Sequence, residues 1–329
     1  LIALGAALTG AVFAGSANSS SVATRELTVY SGRDERFVGA MYRRFTSLTG
    51  IQLRVRYGDS AALAATLLEE GRNSPADVFV SQDAGALGAV ASRGLLKVLP
   101  QSILRRVPTR FRAPGKRWVG VSGRARVVVY NTNELRPSSL PRTIWGYTQP
   151  RWKGKIGLPP TNASFQAFVS AMRVRAGDAR TRDWLLALRA NDVRFYSGNS
   201  QVVAAVARGE IQVGFVNHYY LYQLKEQQPT APAANYFLRG KNDPGALVNV
   251  AGAGIVAPTT KSGAAQRLLA FLLGREAQRY FARSPGRAEY PLAAGIRPRA
   301  GLPPLSSIEG ARVNLGRLGR ELETTLRLL

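Results

Sequence analysis

The stretch LTVYSGRDERFVGAMYRRFTSLTGIQLRVRY, residues 27–57, decides the architecture. Leu27–Ser31 reads as a short apolar strand. Residues 36–48 place Phe37, Met41 and Phe45 at four-residue spacing, which predicts a helix with one buried face. Residues 51–57 alternate strictly, with Ile51, Leu53, Val55 and Tyr57 on one side and Gln52, Arg54 and Arg56 on the other. That pattern predicts a half-buried strand. Asp59 or Ser60 can cap the next helix and Gly71 can end it. A strand over 77–81 and a helix over 84–93 follow. This strand–helix alternation predicts an α/β fold with a mostly parallel sheet and helices on both faces.

Further along, the same rhythm returns. Residues 155–158 read as a strand, 165–175 and 181–190 as helices, 194–196 as a short strand, 200–208 as a helix, 212–216 as a strand and 219–227 as a helix. Two extended apolar segments, 125–131 and 247–256, flank this second unit and have the length to pass between two domains. A chain of 329 residues holds about two domains. Residues 1–17, LIALGAALTGAVFAGSA, are apolar and end in small residues, with Ala17 at a cleavage-like position and Gly15 two before it. They resemble the core and cleavage region of an export signal, followed by a flexible linker to Thr24.

Composition removes several classes of chemistry. The chain has no cysteine and one histidine, His218. Disulfides, thiolate zinc sites, iron–sulfur clusters and multi-histidine metal sites are therefore excluded. A bound metal must take mainly oxygen ligands, which favours a hard cation. The net charge is +25, from 45 Lys+Arg against 20 Asp+Glu, and only seven of the basic residues are lysines. The arginines are scattered, with no basic tail and no nucleic-acid motif, so the balance reads as a basic surface suited to anionic ligands or headgroups rather than to nucleic acid. No Gly-rich phosphate loop, serine elbow or spaced pair of acid–base carboxylates is present.

In sheets of this kind ligands bind beyond the carboxyl ends of strands, and the polar residues of interest fall there. The loops are Ser31-Gly32-Arg33-Asp34, Ser81-Gln82-Asp83 and Asn217-His218-Tyr219-Tyr220. Two more loops, Thr161-Asn162-Ala163-Ser164 and Gly198-Asn199-Ser200, open helices, whose free N–H groups and positive dipole ends can cradle an anion. The adjacent tyrosines carry the sharpest chemistry. A phenol with a pKa near ~10 is a poor ligand until a highly charged hard cation stabilises its phenolate. Ferric iron meets that requirement, and two phenolates with a divalent anion offset its three positive charges with one negative charge to spare. On composition alone a tyrosine pair also fits a core or an interface. Trp118, Trp145, Trp152 and Trp184 read as core anchors, Asp77 as a turn cap or an arginine partner, and the Asp243-Pro-Gly segment as a turn.

From Leu27 to about Pro298 the chain resembles the periplasmic ferric-ion-binding proteins of bacterial iron ABC transporters. The resemblance is carried by LTVYSGR (27–33), SPADVFVSQDAGAL (74–87), SGRARVVVYNT (122–132), WKGKIGLPPTNASFQAF (152–168), NSQVVAAVARGEIQVGFVNHYY (199–220), DPGALVNVAGAGIV (243–256) and RAEYPL (287–292). It implies a two-domain periplasmic-binding-protein clamshell, type II-like, with two crossover strands. The lobes would be 25–126 plus 250–298 and 127–249 plus 299–329, after a signal remnant over 1–24.

The resemblance makes Tyr219 and Tyr220 the iron ligands. It places a synergistic anion, phosphate or carbonate, on Asn162, Ala163 and Ser164 with Asn199 and Asn217. Some relatives add a tyrosine near the Asn162 loop. Here Phe165 is the only aromatic there, which makes the anion matter more. Two positions depart from the family pattern. Asp34 stands where a histidine ligand is found, and Gln82 where a glutamate is found. Both remain ligand candidates, and Arg33 is a candidate partner of the anion. His218 falls outside the family ligand positions and reads as a residue at the surface or behind the ligands. Glu289 and Tyr290 read as fixing the link between the late helices and the C-terminal tail.

The resulting expectation is an exported, monomeric periplasmic protein. It captures ferric iron with an anion and passes it to an inner-membrane ABC permease with its ATPase, performing no chemistry itself. The competing readings are the same clamshell carrying thiamine, a polyamine, sulfate or a phosphonate, and a transferase on the same fold.

Overall fold

The structure is a computed structural model that describes residues 26–310 and 312–329. The segment read as an export signal lies outside the described residues. The first half runs β1 (Glu26–Ser31), α1 (Glu35–Thr49), β2 (Gln52–Tyr57), α2 (Ser60–Glu70), β3 (Val78–Ser81), α3 (Ala84–Ser92), α4 (Gln101–Leu104) and the long strand β4 (Val119–Asn131). The second continues with β5 (Ile156–Leu158), α5 (Ala163–Ala176), α6 (Asp178–Ala190), β6 (Arg194–Phe195), α7 (Asn199–Ala207), β7 (Val213–Asn217), α8 (Tyr219–Gln227) and β8 (Ala233–Tyr236). The chain then returns through β9 (Val248–Ile255), α9 (Ser262–Leu272), α10 (Arg275–Arg283) and β10 (Tyr290–Pro291), and ends in a tail carrying α11 (Leu322–Leu326).

The strands hydrogen-bond in the order β2-β1-β3-β9-β4-β7-β5-β6, with β8 and β10 also on β4. β1 pairs in parallel with β2 and β3, and β5 in parallel with β6 and β7. The antiparallel pairs enter where the long strands run back through the sheet. β4 belongs to both lobes. Its pairing with β9 ends at Ala125 opposite Val248, and its pairing with β7 begins at Arg126 opposite Asn217. One strand therefore passes from a β9 partner to a β7 partner, with a bulge between Gly120 and Ser122.

Local sequence explains most of these elements. In α1 the buried residues are Val38, Gly39, Met41, Tyr42 and Phe45, and Gly50 ends the helix at φ 70°. Phe37, expected on the same stripe, is only half-buried because it faces the interlobe cleft. β2 is an edge strand, so Leu53 and Val55 are half-buried and Tyr57 is 37% exposed. Asp59 caps α2 by accepting from the Ala61 and Ala62 N–H groups. Trp118, Trp152 and Trp184 are buried as expected, whereas Trp145 is half-buried under the Arg180 guanidinium, 4.1 Å from its ring centroid. A smaller apolar cluster containing Val127, Val129, Val203, Val206 and Val216 packs β4 and β7 against α7.

Asp77 differs from the sequence expectation of a turn cap or an arginine partner. Its buried carboxylate accepts from the Thr28 N–H at 2.7 Å and from the Thr259 hydroxyl, and its cation is Lys261 at 3.0 Å. It therefore ties β1 to the segment that follows β9. Asp77→Ala strands the half-buried Thr28 donor, an unmade bond that costs at most about 1–3 kcal/mol. Urea unfolding of the metal-free protein should show a lower midpoint with an unchanged slope.

The tail, expected with the second lobe, touches both. Residues Leu315–Arg317 lie against α3, and α11 lies against α5.

Candidate functional site

The ends of β1, β3, β5 and β7 all open toward the space between the lobes. β7 runs directly into α8, so its last residue and the first helical turn carry Asn217, His218, Tyr219 and Tyr220. Tyr219 is buried, Tyr220 is half-buried, and their rings stack at 4.3 Å between centroids with 27° between planes. Phe37 of α1 meets Tyr219 edge-on at 6.2 Å, and it is flanked by the Arg33 and Arg287 guanidiniums at 4.9 and 5.5 Å. Burial first, and then the neighbouring Tyr220, push the Tyr219 hydroxyl well above the usual phenol range, with Arg124 and Arg33 opposing. Without a cation, Tyr219 stays protonated at any physiological pH.

His218 sits behind the pair and is fully buried. Its Nδ1 accepts from the Ala125 N–H at 3.1 Å and its Nε2–H donates to the Ala288 carbonyl at 2.6 Å. Burial holds the imidazole neutral, with its pKa lowered to about 4. The ring thus joins the tyrosine-bearing turn to the crossing strand and to the segment that carries Glu289.

Beneath the tyrosines lies a concentration of buried charge. Arg33 forms an ion pair with Glu289 at 2.8 Å, both side chains buried, and Glu289 also accepts from the Ser122 hydroxyl at 2.6 Å. Burial alone would raise the Glu289 carboxyl, but Arg33, Arg124 and the Ser122 bond together hold it below its ordinary value. Arg124 is 1% exposed, and all three of its guanidinium nitrogens are without a hydrogen-bond partner. Arg126, two residues further along β4, donates to the Phe215 carbonyl and to the Ser164 hydroxyl at 3.4 Å, and lies against the rings of Phe165 and Phe168. Its burial lowers the pKa to about 9, so it remains cationic at neutral pH.

The start of α5 joins this cluster. The Asn162 side chain accepts from the Ser164 N–H at 3.0 Å and from its hydroxyl at 2.6 Å, which caps the helix. Asn199, at the start of α7, donates to Asn162 Oδ1 at 3.0 Å and to the Ser164 hydroxyl at 3.2 Å. Two helix N-termini and Arg126 therefore converge on one small polar network, a setting that favours negative charge.

A cleft of about 460 Å³ opens over this network, lined among others by Asp34, Phe37, Asn162, Asn199, Tyr220 and Arg287. It brings together Asp34 from one lobe with Asn162, Asn199 and Tyr220 from the other. The Asp34 side chain is 63% exposed and pairs with Arg36 at 3.6 Å. Gln82 does not line this cleft; its N–H donates to the Ser60 hydroxyl. Asn217 is buried opposite Arg126 in the sheet register. Ala163 faces a separate cavity on the other side of the α5 start. Among the described residues no three His, Asp or Glu side chains come together as a metal cluster.

Arg124, Arg126 and Ser122 were not singled out from the sequence as site residues, and Glu289 was read only as a linker anchor. The signal was available. Two arginines stand in a thirteen-residue strand, VGVSGRARVVVYN, that is buried at every position.

A family model of bacterial extracellular solute-binding proteins matches residues 73–302, and the chain belongs to that family. It is 33% identical over 326 residues to the major ferric iron-binding protein of Neisseria meningitidis serogroup B, covering 97% of this chain and 96% of that protein. The crystal structure of iron-bound HitA from Pseudomonas aeruginosa matches with a TM-score of 0.84 at 32% identity, covering 92% of this chain and 97% of that one. A Trichodesmium IdiA (FutA) structure in complex with iron and citrate matches at 0.77 and 30%, covering 92% and 98%. The two-domain clamshell expected from the sequence is the fold of these proteins.

A buried guanidinium with no hydrogen-bond partner leaves its desolvation cost without a compensating bond, and an apolar side chain of similar length carries no such cost. Arg124→Met should therefore raise the denaturation midpoint of the metal-free protein. His218 yields a pH signature. Its folded pKa of about 4 lies below its ordinary 6.5, so the unfolded chain binds the proton more readily. Stability is complete above pH 6.5 and should fall by about 3 kcal/mol as the pH drops toward 4. His218→Gln should flatten that part of the curve.

Proposed function

We propose that this protein captures ferric iron between its lobes, with Tyr219 and Tyr220 as phenolate ligands and a polyanion completing the coordination. The observation that carries this reading is the stacked tyrosine pair set over buried arginines at the cleft. Phenols are the ligands a hard trivalent cation can use in a chain without cysteine and with one buried histidine. Iron-binding relatives of similar length support the same cargo.

Charge explains the need for an anion. Arg33, Arg124 and Arg126 are buried with one carboxylate, that of Glu289, among them. That excess of two positive charges grows to three once ferric iron is held as a diphenolate. A divalent or more highly charged anion removes most of it, whereas a neutral ligand removes none. In this reading the anion rests on Asn162, Ala163 and Ser164 at the start of α5, with Asn199 from α7 and Asn217 from the end of β7, and Arg124 and Arg126 behind it. Arg33 is committed to Glu289 and acts through its field. Asp34 is the first-lobe group nearest to hand as a ligand, with Gln82 a more distant candidate. Phosphate and carbonate fit the charge, and citrate, found with iron in the Trichodesmium protein, does so equally.

The moving bodies are the lobes 26–126 plus 250–298 and 127–249 plus 299–329, hinged on β4 and the approach to β9. Closure brings Asp34 to Tyr220 and shields the ion, so binding favours the closed form. The protein works as an exported, periplasmic monomer that delivers iron to an inner-membrane ABC permease driven by its ATPase, and it catalyses no reaction. Among the described residues no helix is long and apolar enough to cross a membrane.

The test is optical. Ferric citrate added to iron-free protein should give a red phenolate-to-iron band, strengthened by phosphate or carbonate; a colourless saturated protein would overturn the assignment. Tyr219→Phe and Tyr220→Phe should each weaken binding by more than the ~10–100-fold that losing an outer partner costs, with the fold retained by circular dichroism. Each ion bound should release about two protons, one from each phenol, so affinity rises with pH.

A further inference from the structure

The tail attaches to each lobe by different chemistry. On the second lobe the attachment is polar. Buried Arg173 of α5 donates to the Glu321 carbonyl at 2.8 Å and to the Thr325 hydroxyl at 3.0 Å, and Ser170 shares a 2.8 Å hydrogen bond with the same hydroxyl. On the first lobe it is apolar, a close backbone contact between glycines flanked by buried Leu315 and Leu318. Gly85 and Gly88 of α3 face Gly319 and Gly316 of the tail. A Cβ on Gly88 would collide with the Gly316 carbonyl, and a Cβ on Gly319 with that of Gly85. Among the described residues no hydrogen bond joins 315–319 to α3.

The two anchored helices lie on opposite sides of the separate cavity. α3 follows the Gln82-Asp83 loop and α5 follows the Asn162 loop. Between α2, α3 and α5 lies a cavity of about 410 Å³, with Leu318, Gly319 and Leu322 of the tail forming one wall. On this side the lobes are separated by empty space, and the tail spans it.

We propose that residues 315–326 form a strap that bridges the lobes and holds the closed form. It stays hydrogen-bonded to α5 and parts from α3 at the glycine contact when the cleft opens. The glycine contact suits that role, since separating it breaks no hydrogen bond and costs only the apolar burial of Leu315 and Leu318, whereas leaving α5 would strand Arg173. A strap that contacts both lobes only when they are closed biases that state without touching the ligand. The inference rests on the clamshell reading for its readout, so the parent must first show the red ferric band.

Gly88→Ala places a methyl group against the Gly316 carbonyl, and Arg173→Gln cuts the other end. Each should speed ferric release to excess chelator by roughly tenfold, and the double variant should release no faster than either single, because one cut already frees the strap. Unchanged release in a parent that binds iron, an effect at one end only, or multiplied effects in the double variant would overturn the strap while leaving the iron site standing. Hydrogen exchange on the unaltered protein is independent of variant folding. The amides of Leu318 and Arg320 should gain protection when iron is loaded, while that of Thr325 is protected in both states. Equal protection of all three in both states would overturn the proposal.

Discussion

Buried positive charge on the strand that joins the lobes is the constraint around which the site is arranged. Arg124 and Arg126 are two residues apart on β4, where its pairing passes from β9 to β7. A strand interior is a costly place for a guanidinium, and Arg124 has no hydrogen-bond partner at all. Such a group destabilises the metal-free fold. Its neighbours are Glu289 below and Tyr219 above, and the field it creates attracts phenolate and anion alike. In the proposed function the same charges that weaken the empty protein favour the loaded one.

The surrounding residues hold that arrangement rigid. His218 is bonded to the backbone on both sides, so the tyrosine-bearing turn cannot shift without disturbing β4 and the Ala288 segment. Glu289 ties Arg33 and Ser122 together, and Phe37 closes the first-lobe side against Tyr219. The Asn162, Ser164 and Asn199 network does the same for the α5 start. In the proposed function the second lobe supplies the tyrosines and the Asn162, Ser164 and Asn199 network, and the first lobe supplies Asp34, Phe37, Arg33 and Glu289.

Much of the fold was legible in the sequence because the alternation of apolar strands with capped helices is a local pattern. Asp59, Gly71 and the strict alternation of 51–57 sit where local chemistry predicts. The tyrosine pair was legible for the same reason, being adjacent residues at a strand end. Charge partners were not, because they are set by contacts far apart in the chain. Arg33 meets Glu289 across 256 positions, and Asp77 takes a lysine 184 positions away where an arginine nearby was expected. Gln82 and Asp34 occupy equivalent loops in the sequence, yet only Asp34 reaches the cleft. The separate cavity and the double attachment of the tail likewise depend on packing that no local pattern encodes.

The shared strand also has a consequence for how the chain acquires its shape. Every strand paired with β4, from Val213 in β7 to Pro291 in β10, is made later in the chain, and only the Arg112 bridge to Val119 precedes it among the described residues. Its central hydrogen bonds therefore wait for more than eighty further residues, and neither lobe can finish before the C-terminal third has emerged. Such non-local pairing makes assembly slow and leaves the polypeptide without its central sheet during synthesis. A chain built this way keeps the middle of its sheet open until its last third is made.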